Sequence, residues 1–471
     1  MTDGDPPASV ALPVREVPVA AVRERLGGAR RLVVLDDDPT GTQTVADVPV
    51  LTSWSRDDLA WALEQGGPGF FVLTNTRSLS PDAAADRNRE VAEAALAAAD
   101  AQGLEIAFAS RSDSTLRGHF PLETDVLASV AAERGRPVDA VLLVPAYVDA
   151  GRVTVDGVHW VVDGGRWTPV GESEFAGDAT FGFRSSRLGD WVAEKSGHAV
   201  PVTEVPLAAV RAGDERLAAA LAAPSGSVIV PDVVTDDDLR AVAVAELDAE
   251  RAGRRLLLRT GPSYVRARLG QAASPPLDDE RLAALVRPGS AGLVVVGSHV
   301  GRTTRQLERM RDAVPATEVL LDVAQVLEDP SGLVADLRER VLAAEDGDLV
   351  VLSTSRTRVA GADEAASLAI ARQVSAAMSE VVAEVVRSRP PAFVVAKGGI
   401  TSSDTATVAL GIRRAWARGT LLPGIVSLWE PVDGPAAGLP YVVFAGNVGD
   451  DGALASVVER LVSASGRRGE G

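Results

Sequence analysis

The sequence predicts an α/β protein of two domains, each built on a mainly parallel sheet flanked by helices, with a β-rich insertion in the first domain. Three observations predict this fold class. Short apolar runs alternate with Ala-rich stretches, as expected when helices cover parallel strands. The chain of 471 residues is too long for one ordinary core. A polar stretch rich in Pro at 271–280 divides the alternating pattern into two halves.

In the first half, each predicted strand is a short apolar run that ends in polar residues. These strands are Leu32–Leu35, Phe70–Leu73, Ile106–Ala109, Val141–Val144, Val228–Val230 and Leu256–Leu258. A long helix is expected from about Asp82 to Ala101, because Ser80-Pro81-Asp82 is a helix start signal. From Gly151 to about Ser186, residues rich in Gly, Trp and Thr replace the helical period, which predicts a β-hairpin insertion.

The second half restarts the same alternation. Its predicted strands are Leu293–Val296, Val319–Leu321, Leu349–Leu352, Phe393–Ala396 and Tyr441–Phe444. Residues 271–280 lie between the halves as the best linker candidate. We therefore place one domain at residues 1–275 and the other at residues 283–471.

Composition narrows the classes of partner. The net charge of −18 argues against a nucleic-acid backbone or an anionic membrane surface, since both need a basic surface. The absence of cysteine excludes disulfides, thiolate metal sites and cysteine nucleophiles. No apolar run approaches the roughly 20 residues of a membrane span, and the first nine residues do not resemble a secretory signal. We expect a cytoplasmic protein; association of its Ala/Val-rich helices into a homo-oligomer stays open.

Three successive carboxylates, Asp36, Asp37 and Asp38, follow the first predicted strand. In open α/β sheets, ligands bind at the carboxyl ends of the strands. Neighbouring carboxylates repel one another, so a cation, a proton or hydroxyl donors must offset the cost. Mg²⁺ or a polyhydroxylated substrate is the natural expectation. The alternative is a solvated Asp-rich turn in which one aspartate caps a helix.

A second unusual loop lies at residues 110–120, where two arginines and an aspartate stand among four hydroxyl groups. Such a loop suits an anionic polyol. Arg111 and Arg117 could clamp a carboxylate, while Asp113 and the hydroxyl groups bind sugar hydroxyls. His119 adjoins this loop and could touch the same substrate. The alternative is a solvated surface loop that holds an Arg/Asp ion pair.

The second half carries a pattern typical of phosphate binding. Gly398-Gly399 and the hydroxyl groups of 401–403 stand at a strand-to-helix junction, where backbone N–H groups can approach a phosphate. Lys397 precedes the glycines, so this is not a Walker A loop. Two other strand ends, Gly297-Ser298 and Gly446-Asn447, also carry glycine, which favours a nucleotide site. The alternative is a helix start with Ser/Thr caps after a tight turn.

One rival pattern involves the aspartate run. The apolar residues before Asp36-Asp37-Asp38 also fit the first motif of haloacid-dehalogenase-type phosphatases, with Asp36 as nucleophile and Asp38 as acid/base. Its later motifs would have to come from Lys397 and Asp450-Asp451, across the apparent linker. This hypothesis also leaves the loop at 110–120 unexplained.

Taken together, the motifs resemble those of the four-carbon acid sugar kinase family, the kinases of threonate, erythronate and their 3-oxo relatives. The resemblance spans nearly the whole chain in the right order. The residues that carry it are Asp37-Asp38-Pro39-Thr40-Gly41, Asp113-Ser114-Thr115-Leu116-Arg117-Gly118, Pro145-Ala146 with Gly151-Arg152, and Gly398-Gly399 with Thr401-Ser402. The sequence departs from the family pattern at Asp36, Pro39, His119 and Ile400.

This resemblance implies an ATP-dependent kinase, with Mg²⁺, that phosphorylates the terminal hydroxyl of the acid. It implies that Asp37 and Asp38 help to hold the acid, and our hypothesis for catalysis is that Asp37 or Asp38 is the base that accepts the hydroxyl proton. The implied substrate-binding residues are Arg111, Asp113, Ser114, Thr115, Arg117 and Gly118. The implied ATP-binding residues are Ser298, Gly361, Gly398, Gly399, Thr401 and Gly446. A sugar-acid-binding protein that kept the pocket and lost catalysis stays open as a third class.

Overall fold

The computed structural model describes residues 4–213, 215–289, 292–298, 301–344, 348–355, 364–446 and 448–466, except for the side chains of 364–368. The chain divides into two compact units. The N-terminal unit comprises Met1–Thr44 and Val48–Ala273, and the C-terminal unit comprises Val45–Asp47 and Ser274–Gly471. Each unit has its own apolar core, so each is described by itself.

The N-terminal unit contains a parallel sheet that sets the positions of the polar strand ends. Its strands are β1 (Arg31–Asp36), β2 (Val48–Leu51), β3 (Gly69–Leu73), β4 (Ile106–Arg111), β5 (Ala140–Val144), β9 (Val202–Val205), β10 (Ser227–Pro231) and β11 (Leu256–Thr260). They are ordered β2-β3-β1-β4-β11-β5-β10-β9, and every adjacent pair is parallel. The carboxyl ends of β3, β1, β4 and β11 therefore lie side by side at one edge.

Helices cover this sheet. They are α1 (Val19–Leu26), α2 (Arg56–Glu64), α3 (Pro81–Ala101), α4 (Leu122–Glu133), α5 (Leu188–Ser196), α6 (Leu207–Ala212), α7 (Glu215–Leu221), α8 (Asp236–Arg251) and α9 (Pro262–Arg268). Helices α2 to α4 pack on a core that includes Val33, Phe70 and Leu127.

A buried ion cluster joins α8 and α9. The guanidinium of Arg268, which is fully buried, lies 2.5 Å from Glu246 and 2.9 Å from Glu250. Burial raises the pKa of Glu246 to about 7, although the charge of Arg268 lowers it. Because all three groups are desolvated, each depends on its partners to remain charged.

Between β5 and α5 the chain forms a small antiparallel sheet of β6 (Arg152–Val155), β7 (Val158–Asp163) and β8 (Arg166–Pro169). Asp232 anchors this sheet, because its carboxylate accepts hydrogen bonds from the backbone N–H groups of Asp156 and Gly157, both at 2.9 Å. The predicted β-rich insertion is confirmed.

The C-terminal unit contains a mixed sheet with strands β12 (Gly292–Val296), β13 (Thr317–Leu321), β14 (Val350–Thr354), β15 (Phe393–Lys397), β16 (Arg414–Leu422), β17 (Val426–Pro431) and β18 (Tyr441–Phe444). The order is β13-β14-β12-β15-β18-β17-β16. The first five of these run parallel, whereas β17 is antiparallel to both of its neighbours.

The helices of this unit are α10 (Asp279–Leu285), α11 (Gly301–Ala313), α12 (Val323–Glu328), α13 (Pro330–Ala343), α14 (Glu364–Ser388), α15 (Gly399–Asp404) and α16 (Ala453–Ala464). Helices α11 and α16 pack together over a core that includes Val294, Val395 and Phe444. The predicted fold class is confirmed, since both sheets are mainly parallel and flanked by helices. Among the described residues, no helix is both long and apolar enough to cross a membrane.

Candidate functional site

The first aspartate of the run is covered by its own loop. Asp36 ends β1 and pairs in register with Arg111 at the end of β4, where Arg111 Nη1 lies 2.8 Å from Asp36 Oδ1. Only 1% of Asp36 is exposed. A Cβ at Gly41 would stand 2.1 Å from Asp36 Oδ2, so only glycine lets the loop close over this carboxylate. Burial raises the pKa of Asp36 to about 7, although Arg111 lowers it.

Arg77 binds the other two aspartates. It lies in a short 3₁₀ turn, Thr76–Ser78, which follows Asn75 in the left-handed conformation (φ 52°), one that Asn tolerates better than most residues. Arg77 Nη2 lies 2.5 Å from Asp37 Oδ1, and Nη1 lies 3.0 Å from Asp38 Oδ2. The carboxylate repulsion that the sequence predicted is therefore offset by two guanidinium groups, Arg77 and Arg111.

The two aspartates differ in their electrostatics. Burial raises the pKa of Asp37, although the charge of Arg77 opposes this shift. Burial also raises the pKa of Asp38, but the charges of Arg77 and Arg111 have the larger combined effect and hold this pKa below its usual value. Asp38 is thus a stable anion, whereas burial works against the charged form of Asp37.

The loop at 110–120 adds a second ion pair. Arg117 Nε lies 2.6 Å from Asp113 Oδ2, and the hydroxyl of Thr115 donates to the same carboxylate. Against the effect of burial, Arg77 and Arg117 hold the pKa of Asp113 well below its usual range. The guanidinium of Arg117 also lies 5.2 Å from the ring centre of Phe175, which belongs to the insertion.

Four charged side chains stay partly open to solvent here, and we call them the charged rim. Asp38 is 20% exposed, Arg77 19%, Asp113 14% and Arg117 23%. The charge of Arg77 acts on both Asp38 and Asp113, so the two loops meet around it. The rim alternates anionic and cationic groups, as binding of a hydroxylated carboxylic acid requires.

Beneath the rim lie polar groups that the sequence analysis did not assign. Glu123 of α4 accepts hydrogen bonds from the hydroxyls of Thr76 (2.6 Å) and Ser110 (3.1 Å). Arg259 of β11 is buried and stands in register with Ser110. Arg77 and Arg259 both belong to polar strand ends that are visible in the sequence. Because ligands bind at the carboxyl ends of parallel strands, this signal could have placed both arginines in the site.

Other residues of the second loop have structural contacts. Ser114 is buried, and its carbonyl oxygen lies 2.7 Å from Nε2 of the buried His159. His119 Nε2 lies 3.1 Å from the carbonyl oxygens of both Thr76 and Leu79. Because both partners are acceptors, Nε2 carries a proton. His119 therefore braces the turn that carries Arg77.

In the C-terminal unit, the predicted nucleotide-binding residues meet at the ends of the adjacent strands β12, β15 and β18. A Cβ at Gly398, whose φ is +125°, would stand 3.0 Å from Ser298 Cβ. One at Gly446 would stand 3.1 Å from Ser298 Oγ. Thr303 of α11 fixes this contact, because its hydroxyl donates to the Gly446 carbonyl oxygen at 3.0 Å.

Thr401 also belongs to this group, since a Cβ at Gly297 would stand 2.3 Å from its Oγ1. A Cβ at Gly399, in contrast, would meet nothing within 4 Å, so this residue borders open space. Gly361, also predicted to bind ATP, lies outside the described residues. We call Ser298, Gly398, Gly399, Thr401 and Gly446 the glycine cradle; Gly399 is its exposed member.

Lys397 is not part of that cradle. Its side chain is fully buried, its Nζ donates to the Ala445 carbonyl oxygen at 2.6 Å, and it stands 3.8 Å from the ring centre of Phe444. Burial, together with the charge of Arg302, lowers the pKa of Lys397 to about 7. Across the described part of the chain, no three His, Asp or Glu side chains are grouped to hold a metal ion.

Comparison with protein families agrees with this division of sites. Residues 32–268, just over half of the chain, match the model of a sugar-binding N-terminal domain. Residues 293–454 match the model of a nucleotide-binding C-terminal domain. The charged rim lies in the first match, and the glycine cradle lies in the second.

Two solved structures share the fold. A Salmonella typhimurium LT2 protein described as a candidate tRNA synthase has 20% sequence identity and a TM-score of 0.67, with 90% of this chain and 98% of that chain covered. A Haemophilus influenzae protein of the family DUF1537 has 18% identity and a TM-score of 0.61, with 91% and 100% covered. No curated protein sequence matches the chain.

Proposed function

The chain belongs to the four-carbon acid sugar kinase family, and from this premise we propose that it transfers the γ-phosphoryl group of ATP to the terminal hydroxyl of a four-carbon sugar acid. The acid would be threonate, erythronate or a 3-oxo-tetronate. In this proposal, residues 1–275 bind the sugar acid and residues 283–471 bind the nucleotide.

The charged rim is the observation that carries the proposal. Asp38 and Asp113 are held as anions by their arginine neighbours, and ionised carboxylates accept strong hydrogen bonds from sugar hydroxyls. Arg77 and Arg117 offer guanidinium groups to an acidic substrate. In this proposal Thr115 and Gly118 of the same loop also bind the acid, whereas the buried Ser114 and Arg111 support the site from beneath the loop.

Asp37 and Asp38 form the proposed catalytic pair. Phosphoryl transfer needs positioning and charge neutralisation more than covalent chemistry, with one group to accept the hydroxyl proton. Asp38 is the more exposed of the two and can contact the hydroxyl directly. Burial raises the pKa of Asp37, which makes this carboxylate more basic than an exposed one. Asp38 therefore orients the hydroxyl or accepts its proton, and Asp37 is the alternative base.

The glycine cradle is the proposed phosphate site. Ser298, Gly399, Thr401 and Gly446 would hold the phosphates through backbone N–H and hydroxyl groups, and Gly361 stays a prediction for the same site. Gly398 would let the phosphates come close to the backbone, since its own N–H already donates to the Phe444 carbonyl oxygen at 2.9 Å. Mg²⁺, bound together with the nucleotide, would neutralise phosphate charge during transfer.

The test measures ADP formation with ATP and Mg²⁺ against threonate, erythronate, their 3-oxo forms, glycerate and longer aldonates. We expect ADP formation that depends on one four-carbon acid. Asp113→Asn should raise the KM for that acid about 10- to 100-fold, the effect of a lost charged hydrogen bond. The control Asp100→Asn changes a partly exposed carboxylate of α3 that pairs with Arg136, and it should leave KM unchanged.

Two other outcomes would assign a different function. Phosphate release from sugar phosphates without ATP would favour the phosphatase hypothesis, although its nucleophile, Asp36, is covered by Gly41 and paired with Arg111. Binding of a sugar acid without any ADP formation would indicate a catalytically inactive binding protein.

A further inference from the structure

Arg259 differs from Arg77, Arg111 and Arg117, each of which pairs with an aspartate of the site. Its side chain is buried, with 3% of the residue exposed. Within the described residues, no carboxylate oxygen lies within 4 Å of its guanidinium, and its Nε has no hydrogen-bond partner. Burial lowers the pKa of Arg259, and the more distant charges of Glu123 and Asp37 offset only part of this shift.

The neighbouring arginines are already engaged. Arg77 binds Asp37 and Asp38. Arg111 binds Asp36, and Arg117 binds Asp113. Each of these guanidinium groups would have to give up a close protein carboxylate before it could bind one from a ligand with full strength. Arg259 has no such partner to lose.

A buried guanidinium without a close anion is costly, because it loses its hydration and gains no ion pair in return. A buried, unpaired guanidinium is therefore expected where the function of the protein needs it, and binding of an anionic ligand is one such function. The sheet holds the backbone of Arg259 in place, since β11 lies between β4 and β5.

The backbone of Gly118 passes close to both Arg259 and the catalytic pair. A Cβ at Gly118 would stand 3.4 Å from Arg259 Nη2 and 3.1 Å from Asp37 Oδ2. The φ of Gly118 is +122°, a conformation that disfavours any side chain. Because Gly118 places no side chain between them, Arg259 and Asp37 lie against the same short stretch of backbone.

We propose that Arg259 is the carboxylate anchor of the N-terminal unit, and that its guanidinium binds the acid group of the substrate beside Gly118. The inference rests on the proposed function for the identity of the acid. It adds that selection of an acid over the matching neutral polyol depends on Arg259, while Asp38 and Asp113 bind the hydroxyls.

The experiment measures ligand dissociation constants by calorimetry on the full chain, with each four-carbon acid and with threitol and erythritol as neutral probes. Arg259→Met should weaken acid binding about 10- to 100-fold, the range for a charge-assisted hydrogen bond. Binding of the polyols should change less than about threefold. The control is Arg134→Met, at an exposed arginine at the end of α4, which should bind the acid as the wild type does.

Thermal unfolding without ligand separates anchoring from a structural role. An arginine that supports the fold would lower the melting temperature when it is replaced. Arg259→Met removes a buried charge that lacks a close partner, so we expect an unchanged or higher melting temperature, together with loss of the upward shift that the acid produces in the wild type. Arg259→Gln provides a second, polar variant with the same expectation.

Unchanged acid affinity in a folded Arg259→Met or Arg259→Gln protein would overturn the inference. A wild type that binds no acid in the panel would overturn it too. A different result would contradict the kinase proposal alone. In that case the wild type binds the acid and the Arg259 variants do not, but no ADP forms. Calorimetry thus tests the anchor, and ADP formation tests the reaction.

Discussion

Replacing Arg77 with Met tests whether one guanidinium group holds the aspartate run together. Arg77 lies 2.5 Å from Asp37 and 3.0 Å from Asp38, and each of the three side chains is 20% exposed or less. Removing one partner of a buried ion pair costs about 3–5 kcal/mol, because the remaining charge is buried without compensation. We expect Arg77→Met to lose about this much free energy of unfolding at pH 7.

The loss should shrink as the pH falls. Arg77 is one of the charges that hold the pKa of Asp38 below its usual value. Its contribution is therefore fully present above the unfolded pKa of about 3.9 and is lost as the pH falls through the lower folded pKa. Burial already raises the pKa of Asp37, and loss of Arg77 raises it further, which adds to the cost at neutral pH. Once both carboxylates are protonated, the variant and the wild type should differ little.

The assay is urea unfolding of the full chain, with hydrogen exchange of β1 and β3 peptides reporting on the N-terminal unit. Arg87→Met is the matched control. Arg87 donates to the Thr74 carbonyl oxygen at 2.9 Å, and no described carboxylate lies within 4 Å of it. Its loss should cost about 1 kcal/mol at every pH. Equal losses in the two variants, or an Arg77→Met loss that does not depend on pH, would refute the reasoning.

Three further predictions concern the rest of the molecule. Gly398→Ala should weaken ATP binding at least tenfold in calorimetry, because the new Cβ would stand 3.0 Å from a neighbouring side chain at a φ of +125°, whereas Gly27→Ala, with open space around it in the N-terminal unit, should bind normally. Burial, with Arg302, lowers the pKa of Lys397 from 10.5 to about 7. Between pH 7 and 10.5 Lys397 is protonated in the unfolded chain but not in the folded one, so the free energy of unfolding should rise with pH by up to about 1.4 kcal/mol per unit. In urea unfolding, Lys397→Met should lack this pH-dependent rise. Arg268→Met should lower the free energy of unfolding by about 3–5 kcal/mol, since it leaves two buried glutamates unpaired.

The pattern of apolar runs was sufficient for the fold class but not for every strand. The parallel strands are continuous apolar segments such as Val33–Leu35 and Phe393–Ala396, which are recognisable because both of their faces are buried. The antiparallel strands β16 and β17 were not predicted. Arg414–Leu422 alternates partly buried with buried residues and contains a glycine, so it does not form an apolar run.

The sequence also identified much of the candidate site, because its motifs are local. Asp37-Asp38, the loop from Asp113 to Gly118, and Gly398-Gly399 each lie directly after a strand, and parallel strands bring such ends to one edge. The physical signal, an apolar run followed by polar residues, is contained within about ten positions of the chain. These motifs were therefore visible without any knowledge of strand order.

Only the tertiary structure decided which charges are paired. Arg77 binds the aspartate run because β3 lies beside β1, and Arg259 reaches the same site because β11 lies beside β4. Burial of Asp36 and Lys397 likewise depends on residues that lie close in space but not in the spacing of a motif. The sequence determined which polar groups stand at strand ends, whereas strand order and desolvation, which are set by long-range packing, determined which remain free to bind a ligand.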